Sequence, residues 1–263
     1  MSCLLDAALD GTIYPSPGNS CPCQTFSLDG VQCLYQPNKG PGNRFVVYLH
    51  GNVMTLATLH QSGIIPALSN ICDAHVVVPE YPGYGDHRSM HRGRGQVADR
   101  LMFSHVHKVV DCLRARGIQN ITMMGRSIGT GIVLGALATQ QGSAHAVRNV
   151  VLVSPFTCIA DLAPWGTQWA VPRRLDNAAN IQTLPQHVRT VIIHGTEDNF
   201  VPFYQGRQLS TLRKNCTFVP IPGMAHAIDA VQFAKVARAA RAFMGPAPQA
   251  QHAESYRFDI FKP

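Results

Sequence analysis

Gly125-Arg126-Ser127-Ile128-Gly129 stands between a short apolar run, Ile121 to Met124, and a longer one, Ile128 to Ala138. The first has the length of a buried strand and the second that of a buried helix, so the pentapeptide reads as a sharp strand-to-helix turn. A G-x-S-x-G sequence in that setting is a nucleophile elbow. Small residues on both sides of the serine let the backbone take a strained turn that lifts the hydroxyl clear of the sheet. Ser127 is therefore the candidate nucleophile.

A serine hydroxyl attacks a carbonyl only when a base takes its proton and an acid orients that base. Both residue types follow in the chain. Thr190 to Ile193 reads as a buried strand running into His194-Gly195-Thr196-Glu197-Asp198, which places Asp198 in a loop at a strand's carboxyl end. Cys216 to Ile221 reads as another strand, and Pro222-Gly223-Met224-Ala225-His226 then sets a histidine in the last loop before a terminal helix. Asp198 is the expected acid and His226 the expected base. Asp229 is nearer to His226 in sequence, but at the head of the terminal helix it is expected to act as a cap.

Upstream, Phe45 to Leu49 is a β-branched and aromatic run that ends in His50-Gly51-Asn52-Val53. That is the place for backbone donors to the oxyanion of a tetrahedral intermediate. The amides of Asn52 and Ile128 are the expected pair. His50 and His194 precede glycines at strand ends and are expected to brace their loops.

His50-Gly51-Asn52, Tyr81-Pro82-Gly83-Tyr84-Gly85, Gly125-Arg126-Ser127-Ile128-Gly129-Thr130 and His194-Gly195-Thr196-Glu197-Asp198 occur in that order. With them the chain resembles the Bem46-like and ABHD17-like serine hydrolases from about Cys23 to Met244. The resemblance implies an α/β-hydrolase fold with the nucleophile on Ser127, the acid on Asp198 and the base on His226. It also implies cleavage of acyl ester or thioester bonds through an acyl-enzyme, and, by analogy with ABHD17-like members, removal of palmitoyl groups from protein cysteines. Where those enzymes carry an Asp shortly after the HGN motif and a GHND-like stretch around the His, this chain has Met54-Thr55-Leu56 and Ala225-His226-Ala227-Ile228-Asp229. Their cysteine-crowded N-terminus is reduced here to Cys3, with Cys21 and Cys23 further in. Related sequences are grouped with prolyl-oligopeptidase-like serine peptidases. General carboxylesterase or peptidase activity is thus the alternative, and a non-catalytic binding module on the same fold is the alternative from another class.

A chain of 263 residues with 46% hydrophobic content is expected to form one catalytic domain over residues 23–244, with an irregular lead at 1–22 and a tail at 245–263. Strands alternating with helical patterns imply an α/β architecture, a mostly parallel central sheet of about eight strands flanked by helices. Gln24 to Leu28 and Val31 to Tyr35, split by Asp29-Gly30, read as a hairpin. One helix is expected over Leu56 to Ser69, then a strand over His75 to Pro79. Met102, Val106, Val109, Val110 and Leu113 share a helical face that Gly117 stops. Val150 to Val153 is a buried strand, and Asp229 to Met244 a closing helix.

Residues 155–187, rich in proline, are expected to form a short lid between strands six and seven. Trp165 and Trp169 in that lid, together with Val53, are the candidate substrate-binding residues. The Trp pair reads either as an apolar wall for an acyl chain or as packing that seats the lid on the sheet.

Eight scattered cysteines in a chain of this length argue for a reducing, cytoplasmic compartment rather than a disulfide framework. No Lys or Arg precedes Lys39, against a secretory n-region or an Arg-rich transit peptide. No apolar run approaches the roughly 20 residues that span a bilayer, so membrane contact is expected to be peripheral. Cys3 beside Leu4 and Leu5 reads as an acylation candidate or as an ordinary exposed thiol. The net charge of +7 is concentrated in His87-Arg88-Ser89-Met90-His91-Arg92-Gly93-Arg94, a run that reads as a solvated loop or as an attraction toward anionic lipid. No aromatic residues interleave with it, against nucleic-acid binding. His105 and His107 point apart on one helix, and Cys21-Pro22-Cys23 has no second half, so no metal is expected. The chemistry needs no cofactor. The expected partner is an acylated protein or small ester substrate, taken by a monomer.

Overall fold

The computed structural model describes residues 25–40, 43–87, 95–140, 142 and 145–246. Eight strands form a single sheet: β1 (Thr25–Leu28), β2 (Val31–Gln36), β3 (Arg44–Leu49), β4 (Ala74–Pro79), β5 (Ile121–Arg126), β6 (Val147–Val153), β7 (Arg189–Gly195) and β8 (Cys216–Ile221). Their order across the sheet is β1-β2-β4-β3-β5-β6-β7-β8. The first two strands are a hairpin whose turn residues, Asp29 and Gly30, both have positive φ, as a two-residue hairpin turn requires. β2 runs antiparallel to β4, and every pair from β4 to β8 is parallel. Parallel strands need covered faces. Accordingly β3 sends Phe45, Val47 and Leu49 into one core and Val46 and Tyr48 into the other.

Helices α1 (Leu56–Ser62), α2 (Ile64–Cys72), α3 (Gln96–Ala115), α4 (Ile128–Thr139), α5 (Asn177–Thr183), α6 (Phe203–Thr211) and α7 (Ala230–Met244) accompany the sheet, with short 3-10 turns at Gly85–His87, Ile159–Leu162 and Gln168–Ala170. On one face α3 and α4 pack Met102, Val106, Val109, Ile132 and Val133. On the other, α1, α2 and α7 pack Leu56, Leu59, Leu68, Phe233 and Val236. The single helix expected over Leu56 to Ser69 is in fact two. Gly63 takes φ 68° and closes α1, then serves as the N-cap of α2, a left-handed conformation that glycine adopts without steric cost. The short helices α5 and α6 lie outside the sequence expectations. Asp229 caps α7, its carboxylate accepting from the Gln232 N–H at 2.7 Å.

Register aligns the strand ends: Leu49 lies opposite Gly125, Arg126 opposite Val153, and Val153 opposite Ile193. The loops after β3, β5, β6, β7 and β8 therefore all rise from one carboxyl edge. In an open parallel sheet that edge is where ligands bind. Cys3, Cys21, Cys23, residues 88–94 of the basic run, and the expected lead and most of the tail lie outside the described residues. Among the described residues, no helix is long and apolar enough to cross a membrane, and no group of three or more His, Cys, Asp or Glu side chains is arranged to hold a metal.

Candidate active site

Ser127 follows β5 directly and takes φ 52° and ψ −121°, a conformation that L residues rarely adopt and that persists only where the surroundings enforce it. They do so through the flanking glycines. A Cβ on Gly125 would lie 2.5 Å from the Gly129 carbonyl oxygen, and one on Gly129 would lie 2.2 Å from that of Leu49. The Ser127 N–H is held by the Val153 carbonyl at 2.9 Å, and its own carbonyl accepts from the Thr130 hydroxyl at 2.7 Å. The elbow is thus pinned from β3, β6 and α4 at once.

Ser127 Oγ stands 3.0 Å from His226 Nε2, and His226 Nδ1 stands 2.9 Å from Asp198 Oδ2. Three side chains from the ends of β5, β7 and β8 form one hydrogen-bonded series. An ionised carboxylate only accepts, so His226 carries its proton on Nδ1 and leaves Nε2 free to accept from the serine. Asp198 is 5% exposed. Its other oxygen accepts from the backbone N–H groups of Phe200 at 3.1 Å and Val201 at 2.8 Å. Burial opposes the charge, yet hydrogen bonds from the His194 and His226 rings and from the Val201 N–H outweigh it. The carboxyl is held well below the usual carboxylate range. His194 itself is fully buried, and Nε2 lies nearer the Val201 carbonyl, at 2.9 Å, than Asp198, at 3.5 Å. It braces the acid loop, as expected.

The loop after β3 lies against the elbow: a Cβ on Gly51 would come 3.8 Å from that of Ser127. The two expected oxyanion donors therefore belong to neighbouring segments. Asn52 follows Gly51, and Ile128 opens α4, where a first-turn N–H has no partner within its helix. A buried polar cluster shapes the Asn52 loop. The His50 ring rests 4.0 Å from that of Tyr81, whose hydroxyl donates to the His50 carbonyl at 2.9 Å. Tyr84 donates to Asn52 Oδ1 at 3.1 Å. Glu80, also buried, accepts from the Leu56 N–H at 3.1 Å and so fixes the start of α1. The Tyr81 to Gly85 motif thereby acquires a physical role beside His50. Val53 takes φ 58°, which is costly for a β-branched residue, and is 63% exposed.

Two residues of the site escaped the sequence reading. Arg126, the variable residue of the elbow, donates from Nη2 to the His226 main-chain carbonyl at 2.6 Å, while Nη1 lies 3.9 Å from the Met54 sulfur. One guanidinium thus touches the loop of His226 and the chain just past Asn52. Phe200, 67% exposed, places its ring 4.8 Å from the His226 ring. A phenylalanine two residues past an acid carries no pattern that would single it out.

Trp165 and Trp169 are 96% and 87% exposed. Of the two readings of the pair, this exposure goes against packing of the lid onto the sheet. The segment between β6 and β7 is instead seated by other residues. Asn177 donates to the Phe156 carbonyl at 2.9 Å, and the Gln205 side chain accepts from the Thr157 N–H at 2.9 Å.

Residues 45–178 match the family described as alpha/beta hydrolase fold. Human protein ABHD12B is 24% identical over 209 residues, covering 70% of this chain and 53% of that protein. The lysophosphatidylserine lipase ABHD12 of Mus musculus is 28% identical over 196 residues, covering 68% of this chain and 47% of that protein. The chain thus spans about half the length of these relatives. Among solved structures, Est1E from Butyrivibrio proteoclasticus with bound ferulic acid superposes with a TM-score of 0.62 at 19% identity, covering 84% of this chain and 98% of that one. The meta-cleavage product hydrolase CumD of Pseudomonas fluorescens IP01, in a mutant form complexed with acetates, gives 0.62 at 17% identity, covering 84% and 97%.

Proposed function

The chain belongs to the alpha/beta hydrolase fold family, and from that premise we propose that it is a serine hydrolase of acyl esters, with Ser127 as nucleophile, His226 as base and Asp198 as acid. The observation that carries this reading is the series of 3.0 Å and 2.9 Å contacts that ends on a serine with φ 52°. In the first half-reaction His226 Nε2 takes the Ser127 proton as Oγ attacks the acyl carbonyl. Asp198 stabilises the imidazolium that forms, and the backbone N–H groups of Asn52 and Ile128 receive the oxyanion. Collapse breaks the bond to the leaving alcohol or thiol, which takes the proton back from His226. Water then repeats the sequence on the acyl-enzyme.

Two substrate classes follow from different observations. The relatives named lysophosphatidylserine lipase favour a lysophospholipid ester. The motif resemblance to ABHD17-like enzymes favours a palmitoyl thioester on a protein cysteine. The exposed apolar side chains of Val53 and Phe200, flanking Asn52 and His226, suit the acyl part common to both. A fluorophosphonate probe tests the chemistry: wild type is labelled and Ser127→Ala is not. A wild type that resists the probe would favour a binding module on this fold. Turnover across lysophospholipids, S-palmitoyl peptides, soluble aryl esters and short peptides then ranks the substrates.

A further inference from the structure

Residues 162–172, between Asp161 and Arg173, contain no charged side chain and hold both tryptophans of the chain. They form the outer part of a closed loop. The Ile159 N–H donates to the Arg174 carbonyl at 3.2 Å, so the two ends of the excursion are joined. Arg174, itself buried, is fixed to Asp99 of α3 by paired hydrogen bonds of 3.0 Å and 2.7 Å. The tip is therefore an exposed loop whose base is tied to α3. The segment that carries it begins beside the elbow, where Val153 accepts from the Ser127 N–H.

Many polar groups of the tip bond one another. Thr167 gives both its N–H and its hydroxyl to the Pro164 carbonyl, at 3.0 Å and 2.7 Å. Gly166 donates to the Gln168 side chain at 2.9 Å, and that side chain returns a bond to the Ala163 carbonyl at 3.3 Å. Ala170 and Val171 donate to the carbonyls of Thr167 and Gln168. The Trp169 indole N–H, the one polar handle of that ring, is bonded to the Gly166 carbonyl at 3.0 Å. The nearest charges are paired at the base, Arg173 lying 3.0 Å from Asp176 and 3.8 Å from Asp161. Such a tip presents two indole rings while many of its backbone groups already have partners. Those are the conditions for entering a medium that offers few hydrogen bonds.

We propose that this tip docks on a phospholipid bilayer surface, with Trp165 and Trp169 entering the interfacial layer. Indole rings prefer that layer over water or hydrocarbon. The net charge of +7, from 22 Lys and Arg against 15 Asp and Glu, is drawn to anionic lipid, whereas it repels a second copy of the chain. The proposal goes beyond the reading of Ser127 as a nucleophile and stands without it.

Because Trp165 and Trp169 are the chain's two tryptophans, selectively excited tryptophan fluorescence reports on the tip alone. Titration of the full chain with phosphatidylcholine vesicles containing phosphatidylserine is expected to shift tryptophan emission to the blue. Lipids brominated along the acyl chain are expected to quench it, and vesicle sedimentation to capture the protein. Neutral vesicles are expected to bind more weakly. Replacing both rings in a Trp165→Ser/Trp169→Ser variant is expected to lower the partition coefficient about 100-fold, roughly tenfold per buried ring. Ser127→Ala is expected to bind as wild type does, which separates this test from that of catalysis. Unshifted emission at saturating lipid, or equal capture of wild type and the double variant, would overturn the proposal. So would emission that is already blue without lipid and returns to the red on dilution, which would mark a second copy as the occupant.

Discussion

Asp198 and Trp169 lie in the segments that follow neighbouring strands of one sheet, yet they reverse the usual placement of polar and apolar groups. The acid loop buries a carboxylate, 5% exposed, and surrounds it with the N–H groups of Phe200 and Val201 and two imidazole rings. The segment after β6 exposes an indole, 87% accessible, and bonds its polar neighbours among themselves. Burying a charge is costly unless it is fully hydrogen-bonded, so the first arrangement stores specificity in fixed geometry. Exposing an aromatic ring is favourable only once something covers it. On the two proposals above, the first region acts on a bond and the second meets a surface.

The comparison breaks most sharply at Ser127. Replacement by Ala is expected to lower turnover on the order of a million-fold while leaving thermal unfolding nearly unchanged. Asp198→Asn is the next largest change, with an expected loss of about 10⁴-fold in kcat. The amide oxygen can still accept from Phe200 and Val201, but its NH₂ then meets His226 Nδ1. That drives the ring proton to Nε2, where it blocks acceptance from the serine.

The same carboxylate links activity to acid stability. Its folded-state pKa lies below the unfolded value, about 3.9 for Asp. Its contribution to stability is thus fully present above that value and is lost as pH falls through and below about 4. Denaturant midpoints measured from pH 7 down to pH 3 should fall more steeply for wild type than for Asp198→Asn. Parallel curves would show that the carboxylate is not held as the hydrogen bonds indicate.

The strands of the carboxyl edge, and the candidate residues in the turns after them, were largely legible in the sequence, and the reason is physical. Buried parallel strands must be continuous apolar runs, as in Val150 to Val153 and Thr190 to Ile193, and the turns after them must carry the residues that chemistry needs. The Gly125 and Gly129 pair is legible because a Cβ at either would strike a carbonyl oxygen. What escaped were features set by distance in space. Gly63 breaks an apolar helix through its own φ, which periodicity does not encode. Arg126 meets the His226 carbonyl across a hundred residues of chain. For Trp165 and Trp169 the sequence left a wall and a packing role both open, and only the 96% and 87% exposure of the rings separates them.

Arg126 sharpens the comparison at intermediate size. Its guanidinium holds the His226 carbonyl, so in the proposed mechanism it is a positioning residue. Arg126→Met retains the aliphatic stem but releases the base loop, and a displacement of about 1 Å at a reacting group costs up to about 100-fold. The loss is expected in kcat with little change in KM, and it should be partly restored by Arg126→Lys. If KM rises instead and kcat is preserved, the guanidinium contacts substrate rather than the loop.

The smallest effect is expected where the two regions are asked to act apart. Substitution at the tip touches neither the elbow nor the loops of Asp198 and His226, and fully exposed side chains seldom change stability by more than about 0.5 kcal/mol. In the Trp165→Ser/Trp169→Ser variant, kcat/KM for a water-soluble acetyl ester should therefore stay within about twofold of wild type. A long-chain ester held below its aggregation limit separates the two uses of the indoles. If they form a wall for the acyl chain, KM for that monomeric ester rises. If they meet a bilayer, KM is unchanged and only hydrolysis of the same acyl group presented in vesicles falls, because the enzyme no longer stays where the substrate is.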